Sequence, residues 1–546
     1  TYEKAIELTD KIRRGFGTEG AKIQLSQMSF DVYERAISSA LFLFQKTKNT
    51  SYISKAFSIA ERSKAGMLLD AIFESNAKQF AGIPDSLLEQ ESAFRTELTY
   101  HETLLQKEKE KKDKANEVKI VQWENRIFDL KRDNEQLVER FEREYPKYYS
   151  LKHQSEVISL SDIQKQLPDT KSALLEYVVG DTTVTIFAIT KKSCIVKSQR
   201  LTSLTPLVKQ FRQSIQNIEA REYIFLANGL YRQLIAPVQS ELKGVQKLYI
   251  VPDGILNHLP FEALLTHQWE NSVAVDFSAL PYLIRFYDVS YHISARSFLE
   301  HVTATQQKTS AKKDKKPEHE FMGIAPVFAD TPAHSGEIYT ISTERIIRSR
   351  TVDGERFVEL KESEREVKSI FKLFEEHQKS GKMYLHNSAT ESSFKSDNMQ
   401  ETRFIHIATH GMINEENPKL SGVIFAAPEK GAMDDGVLYS GETYNLRLNA
   451  DLVTLSACET GLGTIVKGEG LLGLTRGFMY AGAKNLLVSL WQVADKSTTE
   501  LMVQFYRNIL NNQQYSTALR NAKLAMIKKG KYAHPVEWSP FILTGK

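Results

Sequence analysis

Two residues in this chain of 546 have the types and spacing of a covalent catalyst. His410 is the last residue but one of the stretch "TRFIHIATHG", and Cys458 sits inside "LSACETG", 48 residues later. A free thiol has a pKa near about 8.5 and is mostly protonated at neutral pH. An adjacent imidazole can take that proton or pair with the thiolate, and later protonate a leaving amine. The oxyanion that develops needs hydrogen-bond donors, and backbone N–H groups in a small-residue turn supply them without bulk. Gly411 and the amide of Cys458 are the candidate donors. The other cysteine, Cys194, lies in a β-rich stretch without a His or acid nearby and reads as structural. Two cysteines cannot build a disulfide framework or a thiolate zinc site. Neither a metal nor another cofactor is expected.

His406 competes with His410 for the role of base. Phe404, His406, Ala408 and His410 alternate onto one face of a strand. At about 3.3 Å per residue, His406 lies roughly 13 Å back from His410, inside the sheet. It reads as a packed core histidine, and His410 as the base. His258, in "ILNHLPFEAL", opens a helix elsewhere and reads as structural.

The elements that must hold this pair follow from the period of the apolar residues. "ADLVTLSACETGLG" is a strand, Asp451 to Leu455, running into a small-residue turn. In a parallel sheet His410 and Cys458 would both occupy carboxyl ends of strands, where open α/β folds build their sites. Residues 1–82 carry helical spacing in "DVYERAISSALFLFQ" and "SYISKAFSIAERSKAGMLLDAIF", a degenerate tetratricopeptide-like region. Residues 83–150 repeat apolar residues in heptads, at Leu87, Phe94, Leu98 and Leu105, then at Ile120, Ile127, Leu130, Leu137 and Phe141. That pattern predicts a long antiparallel helical arm between Pro84 and Pro146, with "KEKEKKDKANE" as its solvated tip. From 151 to 300 the β-branched run "SALLEYVVGDTTVTIFAITKKSCIVKSQR" and later helix signals predict a first α/β half. Residues 301–320 are polar and aperiodic, a mobile linker, and 321–546 form a second α/β half. Gly470, Gly473 and Gly477 fall at i, i+3 and i+7, as one smooth helix face packed on the sheet. "GLGTIVKGEG" matches neither a dinucleotide fingerprint nor a Walker loop.

"HIATHG", "LSACETGLG", "GEGLLGLTRGFMYAGAKNLLVSLWQVAD" and "HPVEWSPFILTG" together resemble the CHAT domain, a caspase-like cysteine protease domain associated with tetratricopeptide repeats. "LYIVPDGILNHLPFEAL" and "LIRFYDVSYHISARS" resemble its N-terminal half, and "AFSIAERSKAGMLLDAI" the segment that joins repeats to it. The spacing agrees, since caspases place their His about 50 residues before the Cys. The resemblance covers about Tyr52 to Phe80 and nearly everything from Ile158 onward. It implies that His410 and Cys458 are the catalytic dyad and that residues 151–300 are a protease-like half without a dyad. The expected fold class is a caspase-like layered α/β sheet in two halves, preceded by an all-α repeat and arm region.

Asp495 ends "KNLLVSLWQVAD" at the mouth of the same sheet edge. Separases, more distant relatives, use an acid in a similar W-x-V-x-D context to recognise arginine. By that likeness Asp495 lines a pocket for a basic side chain, and it reads equally as the cap of the helix "KSTTELMVQFY". Asp435 is a second substrate-binding candidate, with Glu442, Glu459 and Glu469 as further acids near the cleft. The expected activity is a cysteine endopeptidase cutting a protein substrate after Arg or Lys, latent until a regulatory protein engages the helical region. A catalytically silent scaffold and a thiol-dependent acyl or peptidyl transferase are the alternatives. The formal net charge of +3 gives no field for nucleic acid. No run of about 18 apolar residues predicts a membrane span. Few cysteines fit a reducing cytoplasm, and the opening "TYEKAIELTD" reads as the interior of a longer protein with further repeats.

Overall fold

The computed structural model describes all residues other than 1, 16–18, 65, 67–80, 153–157, 270–274, 301–318, 327–339, 343–344, 348, 353–354, 359, 397–400, 415–417, 429–433, 458–460, 462–463, 467–469, 493–494 and 546. Among the described residues its centre is one sheet of eleven strands. In chain order these are β1 (Ser172–Val179), β2 (Thr183–Thr190), β3 (Cys194–Arg200), β4 (Lys247–Val251), β5 (Asp288–Tyr291), β6 (His319–Ala325), β7 (Gly381–Leu385), β8 (Thr402–Ala408), β9 (Leu452–Ser456), β10 (Leu486–Ser489) and β11 (Phe541–Thr544). In space the order is β7-β6-β8-β9-β10-β11-β5-β4-β1-β2-β3.

The second half contributes the parallel run β7, β6, β8, β9 and β10. Its central strands are apolar almost throughout, as in "LVTLS", because helices cover both faces of such a sheet. The first half contributes β5, β4 and β1 in parallel, then an antiparallel meander through β2 and β3. One hydrophobic core runs under both halves. The linker expected over 301–320 stops earlier than the composition indicated. His319 and Glu320 already belong to β6, where Phe321 and Met322 pull the chain into the core; residues 301–318 lie outside the described residues.

The N-terminal helices Glu19–Thr47 and Ser51–Arg62 lie against the first half of this sheet. Small buried residues, Ala36, Ala40, Ala56 and Ala60, let the two helices approach closely. Phe57 then reaches Phe187 of β2, edge to face, with ring centroids 5.9 Å apart. Polar residues complete the junction. Both carboxylate oxygens of Glu61 accept backbone N–H groups, from Ala295 and Arg296 at 2.9 Å each, and so cap the helix 295–300. Lys64 places its ammonium 2.8 Å from Glu176 of β1, and both side chains are buried. Burial pushes the Glu176 carboxyl up and Lys64 opposes that shift.

The arm consists of helices Asp85–Glu110 and Glu117–Glu144. The second buries Ile120, Ile127, Leu130, Leu137 and Phe141, the residues of its heptad pattern. Asn116 caps it by accepting the Lys119 N–H at 3.2 Å. At the arm's base Leu137 and Phe141 form an apolar cluster with Ile83 and Tyr148, against which Leu87, Leu88 and Phe94 pack. The first arm helix also lies along the second α/β half, touching it through polar side chains.

A buried pair is costly to break and cheap to replace whole. Lys64→Met should therefore lower the unfolding free energy by about 3 kcal/mol, since it strands Glu176 without a counter-charge. The double variant Lys64→Met with Glu176→Met should recover most of that loss. Urea unfolding of the three chains measures it; a double variant no more stable than the single one would contradict the assignment.

Candidate active site

β8 and β9 are parallel neighbours in register, His406 opposite Thr454 and Ala408 opposite Ser456. His410 follows the end of β8 by two residues, as Cys458 follows the end of β9. Cys458 itself, with Glu459, lies outside the described residues, and so does Glu469.

His410 is buried, with 7% of its surface exposed. Its backbone is held from one side. The Thr409 hydroxyl donates to the carbonyl of Ile424, and the Ile424 N–H donates to the carbonyl of His410 at 3.0 Å. The chain then enters a small antiparallel sheet, Gly411–Met412 with Gly422–Ile424 and Val437–Tyr439. Hydrogen-bonded and non-hydrogen-bonded pairs alternate along such a ladder. Since position 410 bonds to 424, the pair Gly411–Val423 is of the second kind, and the Gly411 N–H faces away from the ladder. Gly422 must be glycine here, because a Cβ would lie 2.9 Å from the Leu438 carbonyl oxygen.

His406 lies in the core. Its Nε2 is 2.8 Å from a carboxylate oxygen of Glu366, and its Nδ1 is 3.3 Å from the Tyr506 hydroxyl. That hydroxyl in turn lies 2.9 Å from Thr454 Oγ1 on β9. Glu366 was not singled out in the sequence, although its place on the apolar stripe with Val367 and Ile370 marks it as inward-facing.

The acids expected near the cleft separate into different roles. Asp495 is the first residue of the helix Asp495–Leu510, and its side chain is outside the description. Glu442 accepts the Tyr439 N–H at 3.0 Å and lies 3.0 Å from the Lys395 ammonium. Lys395 also contacts Glu391 at 2.5 Å and Asp434 at 3.6 Å. Burial pushes the Glu391 carboxyl up to about 8, and raises Glu442 as well. Asp435, whose charge helps raise Glu442, lies 2.8 Å from the ammonium of Lys107 on the arm.

The expected glycine face is different from the sequence reading. Gly470 belongs to the short strand Gly470–Leu472, Gly473 precedes the helix Leu474–Tyr480, and only Gly477 lies within it. Gly477 faces the short helix Ser440–Thr443 rather than the sheet, for a Cβ there would collide with the Thr443 hydroxyl. The close approach is real, but the period of three and four crosses a strand-to-helix boundary.

A cavity of about 50 Å³ joins the helical region to both halves. Lys64, Asp253, His292, Gly461 and Arg476 are among its walls. Gly461 is the first described residue after Cys458, and its N–H donates to the Ser489 carbonyl of β10 at 2.7 Å. Burial raises the Asp253 carboxyl, while Lys64 and the N–H groups of Val179 and Gly254 act to lower it. Among the described residues no cluster of three or more His, Cys, Asp or Glu side chains could hold a metal ion. Cys194 is a free thiol that burial pushes up to about 12, which leaves it unreactive at neutral pH.

The model of the CHAT domain matches residues 226–546. The chain belongs to the CHAT domain family. The match begins inside the helix Ala220–Leu234, so β1–β3, the arm and the N-terminal helices precede it. Tetratricopeptide repeat protein 28 of Mus musculus is 33% identical over 109 residues, which is 20% of this chain and 4% of that protein. The Homo sapiens protein of the same name is 32% identical over 109 residues, with the same coverage. The chain thus matches only about 4% of the length of these curated relatives. Among solved structures, the Saccharomyces cerevisiae separase–securin complex aligns over 96% of this chain and 37% of that chain, at 9% identity and a TM-score of 0.44. The Arg specific cysteine proteinase gingipain R aligns over 59% of this chain and 67% of that chain, at 9% identity and a TM-score of 0.34.

His258 supplies a pH test of the core. Burial, then the charges of Arg212 and Lys209, lower its pKa from 6.5 to about 3. Above pH 6.5 it is neutral in both states and stability is unaffected. Between 6.5 and 3 the unfolded chain takes up a proton that the folded chain refuses, so stability falls with pH. The slope is at most about 1.4 kcal/mol per pH unit. His258→Leu should remove this component, so its unfolding free energy should gain on the natural chain as pH drops from 7 to 5. Denaturant titrations at three pH values check it; parallel pH curves would contradict the buried neutral histidine.

Proposed function

We propose that this CHAT-domain chain is a cysteine endopeptidase in which His410 is the base and Cys458 the nucleophile. The observation that carries the reading is the register of β8 on β9, which pairs Ala408 with Ser456. Each member of the pair is two residues beyond one of these paired strand ends, and His410 has a fixed backbone. In this mechanism Cys458 Sγ, its proton given to His410, bonds to the scissile carbonyl carbon. The Gly411 and Cys458 amides stabilise the oxyanion. The C–N bond breaks as His410 returns the proton to the amine, and water, deprotonated by His410, releases the acyl group from sulfur. Asp495 is assigned the basic side chain of the substrate, because a carboxylate pairs bidentately with a guanidinium and less well with an ammonium. The N-terminal helices and arm are the regulatory region, where a protein partner would act. Among the described residues no helix is long and apolar enough to cross a membrane.

A fluorogenic Arg peptide and an irreversible peptide electrophile test the reading together. Cys458→Ala and His410→Ala should each abolish hydrolysis while the melting temperature stays near that of the natural chain. His406→Ala should instead cost about 3 kcal/mol of stability, by stranding Glu366. Asp495→Asn should lower kcat/KM on Arg substrates by a factor on the order of 100, as for one partner removed from a desolvated charge pair. No labelling of Cys458 would leave a silent scaffold, and labelling without hydrolysis would leave a transferase.

A further inference from the structure

The arm meets the catalytic half through cations seated on tyrosines. Lys107 sends its ammonium to Asp435 at 2.8 Å and over the Tyr439 ring, 4.7 Å from the centroid. Arg95 donates to the Tyr480 hydroxyl at 2.8 Å and lies over that ring at 5.3 Å, with Tyr444 packed on the ring's other neighbourhood at 5.1 Å. Between them Thr99 accepts from the Asn445 side-chain amide at 3.4 Å. Twelve residues of helix place the two cations roughly 18 Å apart.

Three features mark the Lys107 seat as a recognition site rather than a core contact. The first is its composition: a carboxylate beside an aromatic face is what binds an ammonium or guanidinium group. The second is its position. Tyr439 pairs with Gly422, which pairs with Met412, two residues past His410. Two strand spacings put Tyr439 about 10 Å from Met412, within one extended peptide's reach of the dyad. The third is that the arm is not welded there. Its apolar residues close on themselves at the arm's base, and the contacts named above are hydrogen bonds, an ion pair and cation–π contacts. Such contacts are screened by salt and worth little each. Tyr439 is held in a small apolar cluster with Met412, Leu420, Ile424 and Val437, so its ring is a fixed aromatic wall beside the Lys107 ammonium. The neighbouring acids are served separately, since Lys395 contacts Glu391, Asp434 and Glu442.

We propose that Asp435 and Tyr439 form a binding site for a Lys or Arg side chain of a protein substrate, and that the arm's own Lys107 occupies it as an intramolecular competitor. The substrate part of this rests on the endopeptidase reading above. A basic segment of the substrate must displace the arm, and a partner that lifts the arm opens the site.

The test uses the full chain and a fluorescent peptide of four lysines, with a peptide of four glutamines as control, and reads fluorescence anisotropy. Lys107→Gln should bind the lysine peptide at least 10-fold more tightly than the natural chain. Adding Asp435→Asn should remove that gain, and Lys107→Arg, which keeps the competitor, should behave as the natural chain. The glutamine peptide should not distinguish them. Hydrogen exchange over residues 85–110 should quicken in Lys107→Gln, reporting a loosened arm in a folded protein. Equal binding by all these chains, or a gain that survives Asp435→Asn, overturns the proposal. Because binding needs no thiol, it separates the two readings. Binding as expected with Cys458 inert to electrophiles would sink the endopeptidase and keep the site; labelled Cys458 with indifferent binding would do the reverse.

Discussion

Five register pairs, from Phe404 with Leu452 to Ala408 with Ser456, are the constraint on which the rest of the molecule depends. They bring together two segments separated by almost fifty residues and align the strand ends that precede the His and the Cys. The helices Lys361–Glu376 and Asp495–Leu510 pack over this ladder and protect it. Tyr506 from the second helix and Glu366 from the first both meet His406 there. A buried polar group in that place is tolerated because each of its ring nitrogens faces a partner. The same contacts give β8 one acceptable register against its covering helices, since a slip of one residue would turn His406 to the other face.

Buried ionic pairs recur where separate segments join. Lys64 meets Glu176 between the N-terminal helices and β1, and Lys523, on the second half's helix Tyr515–Lys528, meets Glu262 of the first half at 2.9 Å. Glu262 also accepts from the Tyr291 hydroxyl, which in turn accepts the Phe261 N–H. Pairs of this kind add little net stability compared with apolar residues, but a wrong partner leaves a charge stranded. They act here as selectors of one arrangement among segments that hydrophobic burial alone would allow to slide.

What could be read in advance depended on how local the signal was. The heptad positions Ile120, Ile127, Leu130, Leu137 and Phe141 face inward because each is determined by neighbours three or four residues away. The apolar runs at Phe404–Ala408 and Leu452–Leu455 are legible for the same reason. Lys107 against Asp435 spans 328 residues and has no period at all, so the arm's docking face looked like an ordinary solvated surface. Glu366 sat in plain view on a helical apolar stripe and Lys64 just past the end of another, yet a charged residue there reads first as a flaw in the pattern. The glycine series failed differently: a true close approach at Gly477 was extended across a boundary where Gly473 ends one element and starts another.

Among the described residues the sheet's two halves are hydrogen-bonded to each other through β11, antiparallel to β10 along four pairs and parallel to β5 at Thr544 and Tyr291. That segment follows every other described strand. A ribosome adding roughly 5–20 residues per second takes about 10–45 s to go from β6 to β11. Throughout that interval β5 presents an unpaired edge, and β10 adds a second once it is made, the kind of surface that recruits stray strands. The nascent chain therefore carries two incomplete sheets, and a stalled or prematurely released product never acquires the seam that makes them one.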